Sequence, residues 1–188
     1  YAALYDPKTK QAAKTNTKQK LTIINPHKTL IGITTGDRPY LNYGLGEDRL
    51  GAAKLGYIDS LIKLEVTAKI GSNYRVRLTD NMQAYIPESN LRLLNGINFR
   101  PGSLTSSWSV TTDGKADYVS IGLNERLPYS SIQEINPTRI VIDIYGAVSN
   151  TNWITQKQGL QAIKNVWYEQ LSKDVFRVFI ELQKSQLW

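Results

Sequence analysis

The stretch SNYRVRLTDNMQAYIP, residues 72–87, decides the fold class of this chain. From Tyr74 to Leu78, apolar residues alternate with two arginines, which is the period-two pattern of a half-buried strand. Residues 79–81 (Thr-Asp-Asn) then supply turn chemistry, because Asp and Asn side chains bond nearby backbone groups. The apolar run resumes and stops at Pro87, which lacks a backbone donor for a sheet. The stretch therefore predicts two short strands joined by a polar turn.

The remaining apolar segments are also short, are rich in Val, Ile, Tyr and Thr, and are separated by turn residues, so we expect an all-β protein. Short helices are plausible only near Glu47–Leu55 and Thr155–Ile163. Residues 94–108 hold two glycines, a proline and three serines, which predicts a linker. The predicted strands are Leu21–Ile24, Thr29–Thr34, Lys63–Lys69, Tyr74–Leu78, Gln83–Ile86, Tyr118–Leu123, Arg139–Tyr145, Val166–Glu169 and Val175–Leu182.

The positive charge is concentrated at the N-terminus. The 188 residues carry a net charge of +7, and residues 1–20 hold five lysines against Asp6, or +4, which leaves +3 for the other 168 residues. We expect residues 1–28 to form a basic, solvated arm and a leading strand. No apolar run reaches the roughly 18 residues that span a bilayer. The chain begins with Tyr1, and we expect it to be a processed or trimmed product.

Catalysis and metal binding find little support in the sequence. There is no cysteine, and His27 is the single histidine, so a zinc site with three protein ligands would depend on carboxylates. His27 follows Asn25-Pro26, which is typical of a surface turn. We therefore predict no catalytic residue, no metal site and no cofactor in this chain.

The segment from about Leu30 to Leu94 resembles the bacterial SH3-like domains of cell-wall proteins. The motif is carried by GYIDSLIKLEVTAKIG (56–71), YRVRL (74–78), Asp80-Asn81, AYI (84–86) and ESNLRLL (88–94). Two positions depart from the family pattern: Asn81 replaces the turn glycine, and Ala84-Tyr85 replaces a Gly-Trp pair. The resemblance implies a small barrel over residues 29–95.

The second half resembles the AMIN domain, a β-sandwich module of bacterial envelope proteins. The matching segments are YVSIGLNERLPY (118–129), PTRIVIDIYGA (137–147), IKNVWYEQ (163–170) and VFRVFIEL (175–182). The resemblance implies an AMIN-like β-sandwich over residues 96–188, which we expect to be truncated at its C-terminus.

Taken in order, the two halves resemble the non-catalytic front of Bacteroidetes-type N-acetylmuramoyl-L-alanine amidases. Those enzymes cleave with a downstream zinc domain, which these residues do not contain. The resemblance implies a periplasmic, envelope-located region that binds peptidoglycan, with the catalytic domain or a regulator protein as a further partner.

The long loop 34–49 gathers the first candidate ligand-binding residues: Arg38, Tyr40, Tyr43 and Arg49. Tyrosine rings can stack on sugars, and arginine can pair with the carboxylates of a stem peptide. In the second half Trp167 and Tyr168 occupy opposite faces of one strand, so only one of them can be core, and Trp167 is the fifth candidate.

Two other functions compete with wall binding. An envelope scaffold that contacts only proteins would carry the same sequence features. A nucleic-acid-binding small barrel would need basic and aromatic residues interleaved on one face. The lysines of residues 8–20 have no aromatic residue among them, and we therefore expect no nucleic-acid partner.

Overall fold

The computed structural model describes residues 20–24, 28–46, 53–96, 99–150, 155–156 and 159–184. These residues form three β-sheets and one 3₁₀ turn, Glu88–Asn90, which confirms the all-β prediction. The strands are β1 Leu21–Ile23, β2 Leu30–Thr34, β3 Tyr40–Asn42, β4 Lys54–Tyr57, β5 Lys63–Ile70, β6 Asn73–Arg77, β7 Gln83–Pro87, β8 Leu91–Leu94, β9 Ser103–Thr112, β10 Asp117–Leu123, β11 Tyr129–Glu134, β12 Arg139–Tyr145, β13 Ala147–Val148, β14 Thr155–Gln156, β15 Ile163–Ser172 and β16 Val175–Leu182.

The first sheet, sheet I, contains β1 to β8 in the order β4-β3-β7-β6-β5-β2-β8, with β1 also paired to β5. The predicted hairpin of residues 72–87 is present, with Tyr74 opposite Ile86 and Arg77 opposite Gln83. Its apolar side chains face one core, as alternation requires, while its arginines face outward and are only half-buried. The core of sheet I therefore forms because apolar and polar side chains alternate along its longest strands.

Sheet I is not a closed barrel. The strands at its two ends, β4 and β8, share no ladder within the described residues, so the expected closure by backbone pairing is not seen. Apolar side chains from β3 through β8 nevertheless join a single core cluster. This half is therefore an open sheet that folds one face over a shared core.

The second half contains two four-stranded sheets that pack face to face. In sheet II, β9 pairs with β10 on one side and with the short strands β13 and β14 on the other. Sheet III has the order β11-β12-β16-β15 and is antiparallel throughout. Trp108 and Val110 from sheet II meet Phe176 and Val178 from sheet III in one core. This is the sandwich that the sequence predicted.

Two of the local predictions differ from the structure. Most of the first predicted helix, residues 47–52 of Glu47–Leu55, lies outside the described residues, and its end belongs to the strand Lys54–Tyr57. In the second, Thr155–Ile163, the described residues include the strand Thr155–Gln156 and the start of the strand Ile163–Ser172 rather than a helix. The predicted linker 94–108 does join the two halves between β8 and β9, but residues 103–108 belong to β9, whose serines and threonines pair with β10. A bulge at Ser106 and Ser107, opposite Gly122, interrupts the alternation of inward and outward side chains along β9, so the sequence does not look like a strand there. Gly122 fits this bulge because a Cβ at that position would collide with the Ser106 hydroxyl.

The two halves are in direct contact. The Tyr145 ring, at the end of β12, is buried in the core cluster of sheet I. Arg100 pairs with Asp80 of the β6–β7 turn at 2.7 Å and with Asp174 of the β15–β16 turn at 3.3 Å. These contacts place the end of sheet I against the outer surface of sheet III.

Candidate functional site

The outer face of sheet III carries an unusual set of side chains. On β12 and β16 the even-numbered residues fill the core, so the odd-numbered ones face outward. Strand register lines up Ile132, Val141, Phe179 and Trp167 in one row across the four strands. The next row toward sheet I is Ser130, Asp143, Arg177 and Glu169. An apolar row therefore runs beside a polar one.

The centre of this surface is an aromatic stack flanked by arginines. The rings of Trp167 and Phe179 lie nearly parallel, with an interplanar angle of 11° and centroids 4.9 Å apart. The guanidinium of Arg139 lies 4.9 Å from the Phe179 centroid, and that of Arg177 lies 6.0 Å from it. Phe179 is only 7% exposed although it points outward, because these side chains cover it. We call these four residues the aromatic face.

Both arginines are held in place by carboxylates. Arg177 donates from Nε and Nη2 to the two oxygens of Asp143, at 2.6 and 2.8 Å. Arg139 donates from Nε to Glu134 at 2.5 Å. Bidentate pairing fixes a guanidinium more firmly than a single contact does. The aromatic face is therefore organised before any ligand arrives.

A cleft of about 430 Å³ opens where sheet I meets the outer face of sheet III. Tyr43 and Asn81 line the side formed by sheet I, and Ser130, Asp143 and Arg177 line the side formed by sheet III. We refer to this space as the cleft. It shares Arg177 with the aromatic face, so the two form one continuous surface.

A second cavity, of about 550 Å³, opens between sheets II and III. Its walls are mainly aliphatic, with Ile121, Ile142 and Ile180 among them, and Asp117 lies at its edge. Burial would raise the pKa of Asp117, but three backbone N–H donors, from residues 161, 162 and 163, lower it to about 2. This carboxylate ties the loop before β15 to β10, which is a structural role.

A separate group of side chains on sheet I consists of Arg38, Tyr40, Lys54 and Tyr57, and we call it the tyrosine cluster. The Lys54 ammonium lies 4.8 Å from the ring centroid of Tyr40 and 4.7 Å from that of Tyr57, and it donates to the Tyr57 hydroxyl at 2.9 Å. Arg38 covers the Tyr57 ring at 4.5 Å. A bulge at Leu55 puts Lys54 and Tyr57, three residues apart, on the same face. The hydrogen bond from Lys54 lowers the pKa of the Tyr57 phenol.

The structure places four of the five candidate residues, in three different locations. Arg38 and Tyr40 belong to the tyrosine cluster, Tyr43 lines the cleft, and Trp167 lies on the aromatic face. Arg49 lies outside the described residues, as does His27. The predicted loop 34–49 is interrupted by β3, Tyr40–Asn42, and this strand directs Tyr40 and Tyr43 to different surfaces.

Trp167 and Tyr168 behave as strand alternation requires. Trp167 is on the outer face, while Tyr168 packs inside the sandwich against Trp108 and Phe176, at centroid distances of 5.4 and 5.2 Å. The sequence did not point to the residues that these candidates contact: Phe179 beside Trp167, Lys54 beside Tyr40, and Tyr57 beside Arg38. Phe179 could have been found from the segment DVFRVFIEL, residues 174–182, because alternation puts this large aromatic residue on the same strand face as Arg177 and Glu181.

Neither a metal centre nor a membrane-spanning helix is found in the part of the chain that the structure describes. No group of three or more His, Cys, Asp or Glu residues there could hold an ion. No helix within the described ranges has the length and hydrophobicity to cross a bilayer. The clusters described above can stack on rings and donate hydrogen bonds, which is the chemistry of binding.

Comparison with known proteins identifies part of the second half. No curated protein and no solved structure matches the chain. The family model of the AMIN domain matches residues 108–188. The matched range runs from Trp108 in β9 through sheet III, and it contains every residue of the aromatic face. This part of the chain is similar to the AMIN domain, as its sequence motifs predicted.

Proposed function

We propose that the chain is a non-catalytic region that binds peptidoglycan in the bacterial envelope. Its parent would be a periplasmic zinc N-acetylmuramoyl-L-alanine amidase whose catalytic domain lies elsewhere in the protein. The AMIN match supports the proposal, because that domain is a targeting module for peptidoglycan in amidases and related envelope proteins.

One observation carries the proposal: the stacked pair Trp167 and Phe179, with an arginine on each side, on an outward sheet surface. An aromatic residue on the outer face of a sandwich adds nothing to the core between the sheets. A sugar ring can lie on the exposed side of such a stack, and the guanidinium N–H groups not used by Asp143 and Glu134 can donate to its hydroxyls. The glycan strands of peptidoglycan offer such rings and hydroxyls.

We propose that the chain consists of an SH3-like module, residues 29–95, followed by an AMIN-like module, residues 96–188. We also propose that the first module makes a second contact with peptidoglycan. In the tyrosine cluster, Arg38 and Lys54 lie over aromatic rings, and neither forms an ion pair with a carboxylate of the described residues. Two such cations suit the carboxylates of a stem peptide. Tyr40 would then serve as the packing surface beside them.

Co-sedimentation of the purified chain with sacculi tests the proposal. We expect the wild-type chain to pellet with sacculi, and Trp167→Ala to remain largely in solution. Tyr118→Ala is the matched control, since Tyr118 is a half-exposed aromatic residue on sheet II. A wild-type chain that stays in solution would refute wall binding. Binding to the purified catalytic domain in that case would favour a protein scaffold instead.

Release of stem peptide from the sacculi is measured in the same experiment, with and without added zinc. We expect none, because Cys is lacking and His27 is the single histidine. Release that a chelator abolishes would refute the non-catalytic assignment.

A further inference from the structure

The cleft between sheet I and sheet III is electrically balanced. The charged residues lining it are Asp143 and Arg177, and they neutralise each other through the two hydrogen bonds described above. An ion entering the cleft would lose hydration without meeting an unpaired opposite charge, which is costly. The cleft therefore suits an uncharged ligand.

The rest of the lining combines hydroxyl and amide groups with short apolar patches. The Ser130 and Tyr145 hydroxyls hydrogen-bond to each other at 2.8 Å, and the Asn81 amide lies at the rim. Val141 and Val175 add apolar surface beside them. A ligand that matches this lining carries hydroxyl groups, an amide and a methyl group within a few ångströms of one another.

Tyr43 adds a flat surface at the mouth of the cleft. Tyr43 is 58% exposed, and its backbone N–H donates a 2.8 Å hydrogen bond to the Ala53 carbonyl. This bond fixes the backbone from which the ring projects, and the exposed ring face can stack on a pyranose. The volume of about 430 Å³ is within the usual range for small-ligand sites.

We propose that the cleft binds the acetamido group of an N-acetylhexosamine, with Tyr43 stacked on its ring and Asn81 and Ser130 hydrogen-bonded to its polar groups. The inference rests on the proposed function and names the part of peptidoglycan that is recognised. Because Arg177 borders both the cleft and the aromatic face, a glycan can continue from Tyr43 toward Trp167. Both halves of the chain would then bind the same glycan strand.

The test uses two soluble probes and the complete 188-residue chain. Chitotetraose carries an acetamido group on every sugar, and cellotetraose has a hydroxyl in its place. Isothermal titration should show tighter binding of chitotetraose, and Tyr43→Ala should weaken it roughly three- to tenfold. Asn81→Ala should reduce the preference for chitotetraose over cellotetraose, and Tyr118→Ala should leave both affinities unchanged.

Equal affinity of the wild-type chain for the two probes would overturn the inference, and so would unchanged binding by both Tyr43→Ala and Asn81→Ala. Both side chains are exposed, so thermal melting should be unchanged, and either variant alone suffices if the other misfolds. If these variants bind chitotetraose and sacculi normally while Trp167→Ala loses sacculi, the cleft is not the site but wall binding stands. If wild-type chain ignores sacculi, the proposed function itself fails.

Discussion

Asp143 and Arg177 lie directly opposite each other on β12 and β16, and they form two hydrogen bonds, at 2.6 and 2.8 Å, where the aromatic face meets the cleft. Their side chains are 18% and 32% exposed, so this pair is shielded more than an ordinary surface ion pair. Partial shielding strengthens the attraction and also makes either partner costly to leave alone.

We expect a double-mutant cycle with Asp143→Ala and Arg177→Met to show a coupling free energy of about 1 kcal/mol in urea unfolding. Methionine retains an apolar stem beside Phe179, so the cycle isolates the charge. The more exposed pair Lys164 and Glu181, on the same sheet, should show coupling near zero. Strictly additive effects for Asp143 and Arg177 would contradict the expectation.

The two rings of the aromatic face should differ in their contribution to stability. Phe179 is 7% exposed beneath Trp167 and the arginines, so we expect Phe179→Ala to cost about 3 kcal/mol in free energy of unfolding. Trp167 stacks on that ring from the neighbouring strand and is only half-buried, so Trp167→Ala should cost about 1 kcal/mol. Chemical denaturation measures both values. Equal costs would mean that Trp167 is a packing residue rather than an available stacking surface.

The sequence predicted the strands whose alternation is uninterrupted, and it failed where a bulge or a small polar residue breaks the pattern. Tyr74 to Leu78 and Val175 to Leu182 alternate cleanly, and both strands form as expected. In β9 the bulge at Ser106 and Ser107, together with many serines, gave the appearance of a linker.

The site was only partly predictable, because it depends on pairing between distant strands. Trp167 could be found as an aromatic residue on a strand, but its partner Phe179 follows only from the register of β15 and β16. Lys54 lies on the same strand face as Tyr57 because of the bulge at Leu55, and no sequence pattern predicts that bulge. Tyr43 reaches the cleft through the contact between the halves, and no local pattern encodes that contact.

Asp117 should make the sandwich sensitive to acid. Burial opposes its charged form, but three backbone N–H donors hold its pKa at about 2, below the ordinary 3.8. Because the folded pKa is the lower one, its contribution to stability is complete above about pH 4 and is lost as the pH falls toward 2. Asp117→Ala should lower the melting midpoint at neutral pH by roughly 3 to 8 °C and flatten the acid dependence in this window. Thermal melts from pH 7 to pH 2 measure this, and an unchanged acid profile would argue against it.

Tyr57 reports directly on the tyrosine cluster. Its pKa is lowered because Lys54 donates a hydrogen bond to the phenol oxygen and adds a nearby positive charge. We expect Lys54→Met to move the pKa of Tyr57 back toward 10.0, as followed by NMR of the labelled ring. Lys164→Met is the control, since that lysine pairs with Glu181 on sheet III. If the Tyr57 titration is the same in both variants, the cluster does not persist in solution.

The final prediction concerns Arg100, which connects the two halves. Its guanidinium pairs with Asp80 at 2.7 Å and with Asp174 at 3.3 Å, and it lies 3.7 Å from Glu65. The ion pairs of Asp80 with Lys173 and then with Arg100 lower the pKa of Asp80 from 3.8 to about 2. The pairing therefore supports the interface above about pH 4 and weakens as the pH falls toward 2.

Arg100→Ala removes the cation that these three carboxylates share, so their mutual repulsion should loosen the contact between the halves. We expect the melting midpoint to fall by roughly 2 to 6 °C, and we expect the calorimetric transition to broaden or split as the two cores unfold separately. The acid sensitivity of the interface should also move to higher pH, because Asp80 keeps only Lys173 as a partner. Arg92→Ala, on the exposed side of β8, is the matched control and should melt like wild type. A single sharp transition in Arg100→Ala at the wild-type midpoint would show that packing around Tyr145, rather than this ion network, holds the cleft together.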